Sequence, residues 1–442
     1  MSNDSNILSS DFKTDPYWWD AAPPETDMTP LPSTVDVVVV GSGYCGLSAA
    51  IELGRHNLSV AVLDEKELGI GGSTRSGGMV SSGQKLVVSN AIRGVSADRL
   101  ERLLAESLQS YNFLKSLVRE NELDADLHIS GRFFGAYTPK HYERLQAQGA
   151  LLRERTGVTV HDVDRREQQS LIGTQYYYGG ILVDDYGGVH TAKYHRSLRQ
   201  LARQRCATLH SHAPVLEVLR RKGGFDVKTA RGTIRATHVV MATNGYTGRV
   251  SPYLRKRLIP VASYQVATDI LPEGMMDTIN PHRVMVSDSK RNLFYTRPSP
   301  DGKRMLFGSR PAVLEISEHE AARRLRKKMI EVWPQLRDVK VTHCWKGNVA
   351  MTFDKLSHIG EEDGIHYAVG CNGNGVALMT YLGYCVARKI AEKNAPACAF
   401  DEGTFAGNPL GATQSLLVPL GAAAYELADK WDARARTATA QR

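Results

Sequence analysis

The sequence predicts a protein of class α/β plus α+β, with two domains interleaved along the chain rather than set end to end. Three observations predict it. A strand-turn-helix-strand unit fills residues 36–64, a strand-rich stretch covers 258–310, and "AVGCNGNGVALMT" (368–380) places a second glycine turn before a helix near the other end of the chain. Either the late turn is an ordinary bend, or two distant segments converge on one ligand.

Length and composition bound the reading. At 442 residues the chain exceeds the roughly 250–300 at which a single core stops growing, so two domains are expected. No run of about 18 uninterrupted apolar residues occurs, and the first thirty residues are polar and proline-rich without an apolar signal core. We therefore expect no membrane span and a cytoplasmic location. The six cysteines, at 45, 206, 344, 371, 385 and 398, form no CxxC pair, which suits reduced thiols and speaks against a metal site. A net charge of +8 raises the question of a nucleic-acid partner. The strongest basic cluster, "AARRLRKKMIEVW", reads instead as the solvated face of an amphipathic helix, and no recognition module is present, so nucleic acid is not an expected partner.

Each element follows from its own pattern. Residues 36–40 are a continuous β-branched run; a glycine turn, a helix to about His56 and a second strand, "LSVAVLD", ending at Asp64 come next. A glycine-rich loop (69–83) leads to the helix "SADRLERLLAESLQSYNFLKSLVREN". A helix over about 191–205 precedes short antiparallel strands with a turn at Gly223-Gly224, then a strand ending at Ala242-Thr243. Residues 315–333 are helical, and "IHYAVG" is a strand that opens onto the late turn. The resulting division is an N-terminal extension (1–30), a nucleotide domain in three pieces (31–90, 190–250, 345–398), a second domain in two (91–189, 251–344), and a helical tail (399–442).

In Gly41-Ser42-Gly43-Tyr44-Cys45-Gly46 the first glycine permits the tight turn, the second lets backbone approach a pyrophosphate, and the third lets helix pack on strand. The helix start offers N–H groups and a positive dipole end to phosphate. Asp64, at the strand end, is the acid for a ribose hydroxyl pair; Glu65 is the alternative. This is the phosphate-cradling unit of a Rossmann-like domain. The loop "GGSTRSGGMVSS" (71–82) then supplies small residues, hydroxyls and Arg75, with Gly72 and Ser73 at its head, where a nicotinamide domain would continue into a crossover helix.

The ordered set GSGYCG, Asp64, GGSTRSGG, the "ATNG" strand end and "WKGNVAMTFDKLSHIG…VGCNGNGV" resembles the FAD-dependent amine and amino-acid oxidoreductases of the D-amino-acid oxidase superfamily, nearest to the gamma-glutamylputrescine oxidoreductase branch. The resemblance spans about residues 15–395. It implies a non-contiguous FAD-binding domain interleaved with a substrate domain on an antiparallel sheet. It also implies oxidation of a carbon–nitrogen bond by hydride transfer to flavin, hydrolysis of the imine, and dioxygen or another electron acceptor. Val215 joins the cofactor-binding set on the same basis. Gly373, Asn374, Gly375 and Val376 would return to the pyrimidine edge of the flavin, where a helix N-terminus stabilises developing negative charge. Two alternatives stand beside this reading, a flavoenzyme acting on modified tRNA and a flavin subunit of a hetero-oligomeric dehydrogenase. The second draws on Leu306, which stands where sarcosine oxidase-type relatives place a lysine for dioxygen activation.

Substrate-domain candidates are Tyr264 in "PVASYQVAT", Tyr295 and Arg297 in "NLFYTRPSP", and Lys346 beside Trp345. Tyr295 and Arg297 share a strand face. Arg297 could bind a substrate carboxylate bidentately, with a structural arginine as the alternative. The FAD is expected to be non-covalent. The position matching the flavin-attaching cysteine of sarcosine oxidase-type relatives is Gly347, and Cys344 lies three residues early, on the other face of a strand.

Overall fold

The computed structural model describes residues 7–82, 92, 94–408, 419, 421, 423–429, 431 and 432. Among these residues the chain builds two principal sheets. The first has eight strands, and its core is parallel: Thr34–Val40 lies between Val60–Leu63 and Gly232–Met241, with Thr208–His210 beyond Val60–Leu63. Val37, Val38 and Val39 are wholly buried, as befits a parallel strand covered on both faces. The helix Tyr44–Arg55 packs against the late helix Gly375–Ala391, so the two glycine turns sit at the starts of neighbouring helices.

The second sheet has nine strands and is mostly antiparallel. It takes Leu8–Lys13, then strands between 132 and 183, then Leu258–Thr268, Met285–Asp288, Tyr295–Pro298, Met305–Ser309 and Val341–Thr352. The chain thus passes repeatedly between the two sheets. Two features differ in detail from the reading of the sequence. Val341–Thr352 is one unbroken strand that crosses the boundary placed between 344 and 345, because its whole length pairs with Leu258–Thr268. Within the N-terminal extension, Leu8–Lys13 adds a parallel strand beside Val341 and so joins the second sheet.

Strand parity gives the nine-stranded sheet two chemically different faces. On the outer face Phe133, Tyr264, Val266, Val286, Met305, Phe307 and Cys344 form one core with Ala321, Ala322, Leu325 and Met329 of the helix Glu318–Val332. The basic residues of that helix are largely solvated, with Arg324 Nε 2.7 Å from Glu320 Oε1. The inner face turns toward the 72–78 loop. Across it, Trp345, Gln265, Gly308, Tyr295, Ser287 and Phe134 stand in direct register on successive strands, a single transverse row.

Candidate FAD and substrate site

Gly41 has φ +105°, and a Cβ there would lie 2.9 Å from Ala242 O; at Gly46 it would fall 1.9 Å from Gly41 O. Only glycine fits either place. Gly43 opens the helix Tyr44–Arg55 with no side-chain cap, although Ser73 Oγ accepts from the Tyr44 N–H at 3.0 Å. Asp64 locks the turn: its Oδ2 accepts from the Ser42 N–H (3.0 Å) and hydroxyl (2.6 Å). Burial raises the Asp64 carboxyl above the ordinary range, opposed by its bonds to Ser42. Glu65 is exposed. Backbone bonds tie Asp64 to His210 and Ala213, bringing the start of Val215–Arg221 alongside.

Four further segments meet beyond this turn. Trp18 and Trp19 of the N-terminal extension donate to Ser76 O and Thr74 Oγ1, and Trp345 donates to Arg75 O, so three indoles hold the 74–76 backbone. Arg75 lies over Trp19 and donates to Ile70 O and Lys346 O. Tyr246 Oη accepts from the Asn348 N–H, and Asn244 Oδ1 accepts from the Gly370 N–H at 2.9 Å, tying the "ATNG" strand end to the late turn. There Gly373 has φ +84°, and Asn374 opens the helix Gly375–Ala391 without a side-chain cap; its Nδ2 is buried and has no hydrogen-bond partner among the described residues.

These residues fit an extended dinucleotide. A Cβ at Gly71 or Gly373 would meet no atom within 4 Å, which leaves open space beside two helix starts, and Asn374 Nδ2 is an orphaned donor at the second of them. The model of the family described as DAO, FAD dependent oxidoreductase, matches residues 36–389. The chain belongs to this family. Within it the chain is 28% identical over 382 residues to OrdL of Haemophilus influenzae, covering 85% of this chain and 87% of that one. To gamma-glutamylputrescine oxidoreductase of Escherichia coli it is 26% identical over 405 residues, covering 90% and 93%. Among solved structures, glycine oxidase from Geobacillus kaustophilus shares the fold at a TM-score of 0.72 and 21% identity, covering 85% of this chain and all of that one. The chain is thus an FAD-dependent oxidoreductase of the DAO family, and its two-sheet architecture is that of the family's solved members.

The structure separates the substrate-domain candidates. Tyr264 points to the outer face, where its hydroxyl donates to Ile316 O (2.8 Å) and accepts from the Ile316 N–H (3.0 Å). Lys346, its register partner, also points outward and pairs with Glu315 at 2.8 Å. Strand parity thus turns the side chains of both away from the 72–78 loop. Arg297 does share the inner face with Tyr295, but its guanidinium is buried and bound to the carbonyls of Pro298, Gly78 and Val189, which is the structural alternative. Tyr295 lies on the inner face against Gly77, its hydroxyl 3.0 Å from Ser263 Oγ; burial pushes its pKa up to about 12, so it stays a neutral hydroxyl.

Two residues escaped the sequence reading. Gln265, next to Tyr264 and hence on the inner face, is 1% exposed, and both atoms of its side-chain amide are buried without a hydrogen-bond partner among the described residues. A Cβ on Gly77 would lie 3.3 Å from its Nε2. The signal was the lone side-chain amide in the strand Leu258–Thr268. The other is Arg132, on the same face as Phe134, whose Nε and Nη2 donate to Ser287 Oγ at 3.1 and 2.7 Å.

Proposed function

We propose that this DAO-family oxidoreductase oxidises the carbon–nitrogen bond of an amine or amino-acid-like substrate, with hydrolysis of the imine product. FAD, when bound, supplies the hydride acceptor. The observation that carries the reading is the inner-face row, in which a buried amide with both atoms free, Gln265, stands beside a neutral tyrosine hydroxyl against the 72–78 loop. A native core leaves few such groups unpaired, and a polar substrate group would complete this one. Tyr295 and Gln265 orient the substrate, and Trp18 and Trp345, both wholly buried, exclude water from the loop they hold. The chain needs no strong base here, because a neutral amine is oxidised once it is positioned. Gly41, Gly43, Gly46, Asp64, Gly72, Ser73, Arg75 and Val215 would hold the nucleotide end of FAD, with Gly373, Asn374, Gly375 and Val376 at the flavin end.

We further propose that FAD is held without a covalent bond. Cys344 faces the outer core, and Cys371 directs its Sγ toward Ala350 O at 3.8 Å. Leu306 is wholly buried with Trp18, Ala267 and Trp345, and the electron acceptor is dioxygen or another molecule. The test is anaerobic bleaching of the flavin absorbance against a panel of polyamines, N-methyl amino acids and gamma-glutamyl amines. Bleaching by one class supports the reading; a flavin untouched by all of them, yet reducible by dithionite, overturns it.

A further inference from the structure

The helices Tyr44–Arg55 and Gly375–Ala391 run side by side in the same direction. At one point a Cβ on Gly383 would lie 2.1 Å from Cys45 O, and at their far ends His56 meets Glu392. Two helix C-termini, each the negative pole of its dipole, therefore stand together, a pairing that a cation between them relieves. Three metal-ligating side chains converge at that spot. Glu52 and His56 are four residues apart on one helix, and Glu392 closes the other. One ligand atom of each lies within 4.8 Å of the other two.

His56 Nε2 is 3.4 Å from Glu52 Oε1 and 3.5 Å from Glu392 Oε1. A hydrogen bond from a ring nitrogen to a carboxylate spans about 2.7–3.2 Å, so neither contact is one. Two ligand atoms about 2.0–2.1 Å from a zinc ion, at the tetrahedral angle, stand about 3.3–3.4 Å apart. The histidine is thus spaced from both carboxylates as ligands are around a shared ion.

The neighbouring side chains leave those atoms available. Arg55 Nη1 reaches Glu52 at Oε2, 3.2 Å away, and leaves Oε1 turned to His56. Arg388 holds Glu392 with Nε on Oε1 and Nη2 on Oε2, both at 2.7 Å, and its Nη1 donates to Tyr384 Oη at 3.2 Å. A carboxylate has about four lone-pair positions, so Glu392 Oε1 can face an ion while Arg388 fixes its direction, the part that outer partners play in metal sites. The Glu52 side chain is only 9% exposed, yet it borders a cavity of about 90 Å³ with Ser48, Ser116 and Asn121, which gives an ion a way in. No ligand here is a thiolate, so the cysteine spacing does not bear on this site.

We propose that Glu52, His56 and Glu392 bind a divalent transition-metal ion of the zinc class, with water in the fourth position, as a staple between the ends of the two helices. The helix Tyr44–Arg55 has 12 residues, so about 18 Å separates the ion from the Gly41 turn, and it serves helix packing rather than the flavin. The site is independent of the redox reading. Imidazole as a ligand favours zinc over magnesium.

The test uses the flavin-loaded full-length protein, treated with chelator and then titrated by calorimetry with zinc chloride and with magnesium chloride. The wild type should bind one zinc per chain at least about 100-fold tighter than magnesium, and its thermal midpoint should rise with zinc concentration. His56→Ala and Glu392→Gln should each weaken zinc at least about 10- to 100-fold and remove that rise at the same zinc concentration. Both residues lie at helix ends and are part exposed, and flavin content at the wild-type level reports that the variants fold. If one variant does not fold the other decides, and if neither does the wild-type titrations decide. A wild type that binds no zinc, magnesium bound as tightly, or zinc bound undiminished by a folded variant each overturns the proposal; the first leaves His56 in two long ion pairs.

Discussion

Replacing Gln265 with methionine should stabilise the flavin-free protein and disable the enzyme. The side chain is 1% exposed, and among the described residues neither Oε1 nor Nε2 has a hydrogen-bond partner. A buried polar group left unsatisfied costs about 1–3 kcal/mol, whereas an apolar group of similar shape in the same place costs little. Methionine nearly matches the volume, and its flexible chain can adapt to the space the glutamine side chain leaves. Gln265→Met should therefore raise the unfolding free energy of flavin-stripped protein by about 1–3 kcal/mol in urea titrations, with an unchanged slope. On the best substrate from the bleaching panel, the same variant should lose about 10- to 100-fold in the reductive rate, the loss of one hydrogen-bonded contact to a polar group. A variant destabilised by more than about 1 kcal/mol would show that the amide is a structural element of the sheet. A more stable variant with full activity would show that it faces no substrate.

The other predictions concern the cofactor. Asp64→Ala should weaken FAD binding about 10- to 100-fold, measured by flavin fluorescence on dilution, because it removes a ribose acceptor and frees the Ser42 turn; unchanged retention would assign the ribose elsewhere, with Glu65 next. Acid precipitation should release the yellow colour into the supernatant, whereas colour in the pellet would make Cys344 or Cys371 the first residue to mutate. His195 gives a pH signature: it is fully buried, its Nε2–H donates to Ser42 O at 2.7 Å, and burial lowers its pKa to about 3. A depressed histidine contributes stability that is complete above about pH 6.5 and is lost as the pH falls from there toward about 3, at up to about 1.4 kcal/mol per pH unit. His195→Gln should flatten the acid limb of the unfolding profile, and an equally steep limb in the variant would remove His195 as its source.

What was legible in the sequence is what local pattern dictates. The β-branched run before Gly41 and the spacing to Asp64 specify a buried parallel strand, a turn and a helix, because glycine alone tolerates the φ of Gly41 and the contact at Gly46. The late turn was legible as a turn, and only the helix–helix packing of Tyr44–Arg55 on Gly375–Ala391 shows why it stands beside the first. The role of the aromatic N-terminus was out of reach, since Trp18 and Trp19 act on residues more than fifty positions away.

Side-chain direction in the second sheet depends on parity, and parity depends on register that no single strand contains. Tyr264 and Gln265 are adjacent, and the larger, more chemical-looking residue drew the assignment; the pairing of Gln265 with Gly308 and Trp345 sends it inward and Tyr264 outward. Arg132 and Arg297 show the same limit in another form. Both face inward and both are desolvated, so neither pattern nor burial distinguishes them. The difference is what surrounds each guanidinium. Arg297 neutralises its hydrogen-bonding capacity against three stretches of backbone and fastens the sheet to the loops at Gly78 and Val189. Arg132 donates to the hydroxyls of Ser287 and Ser81 and lies over the Phe134 ring, so its contacts come from side chains on neighbouring segments that its own strand does not contain.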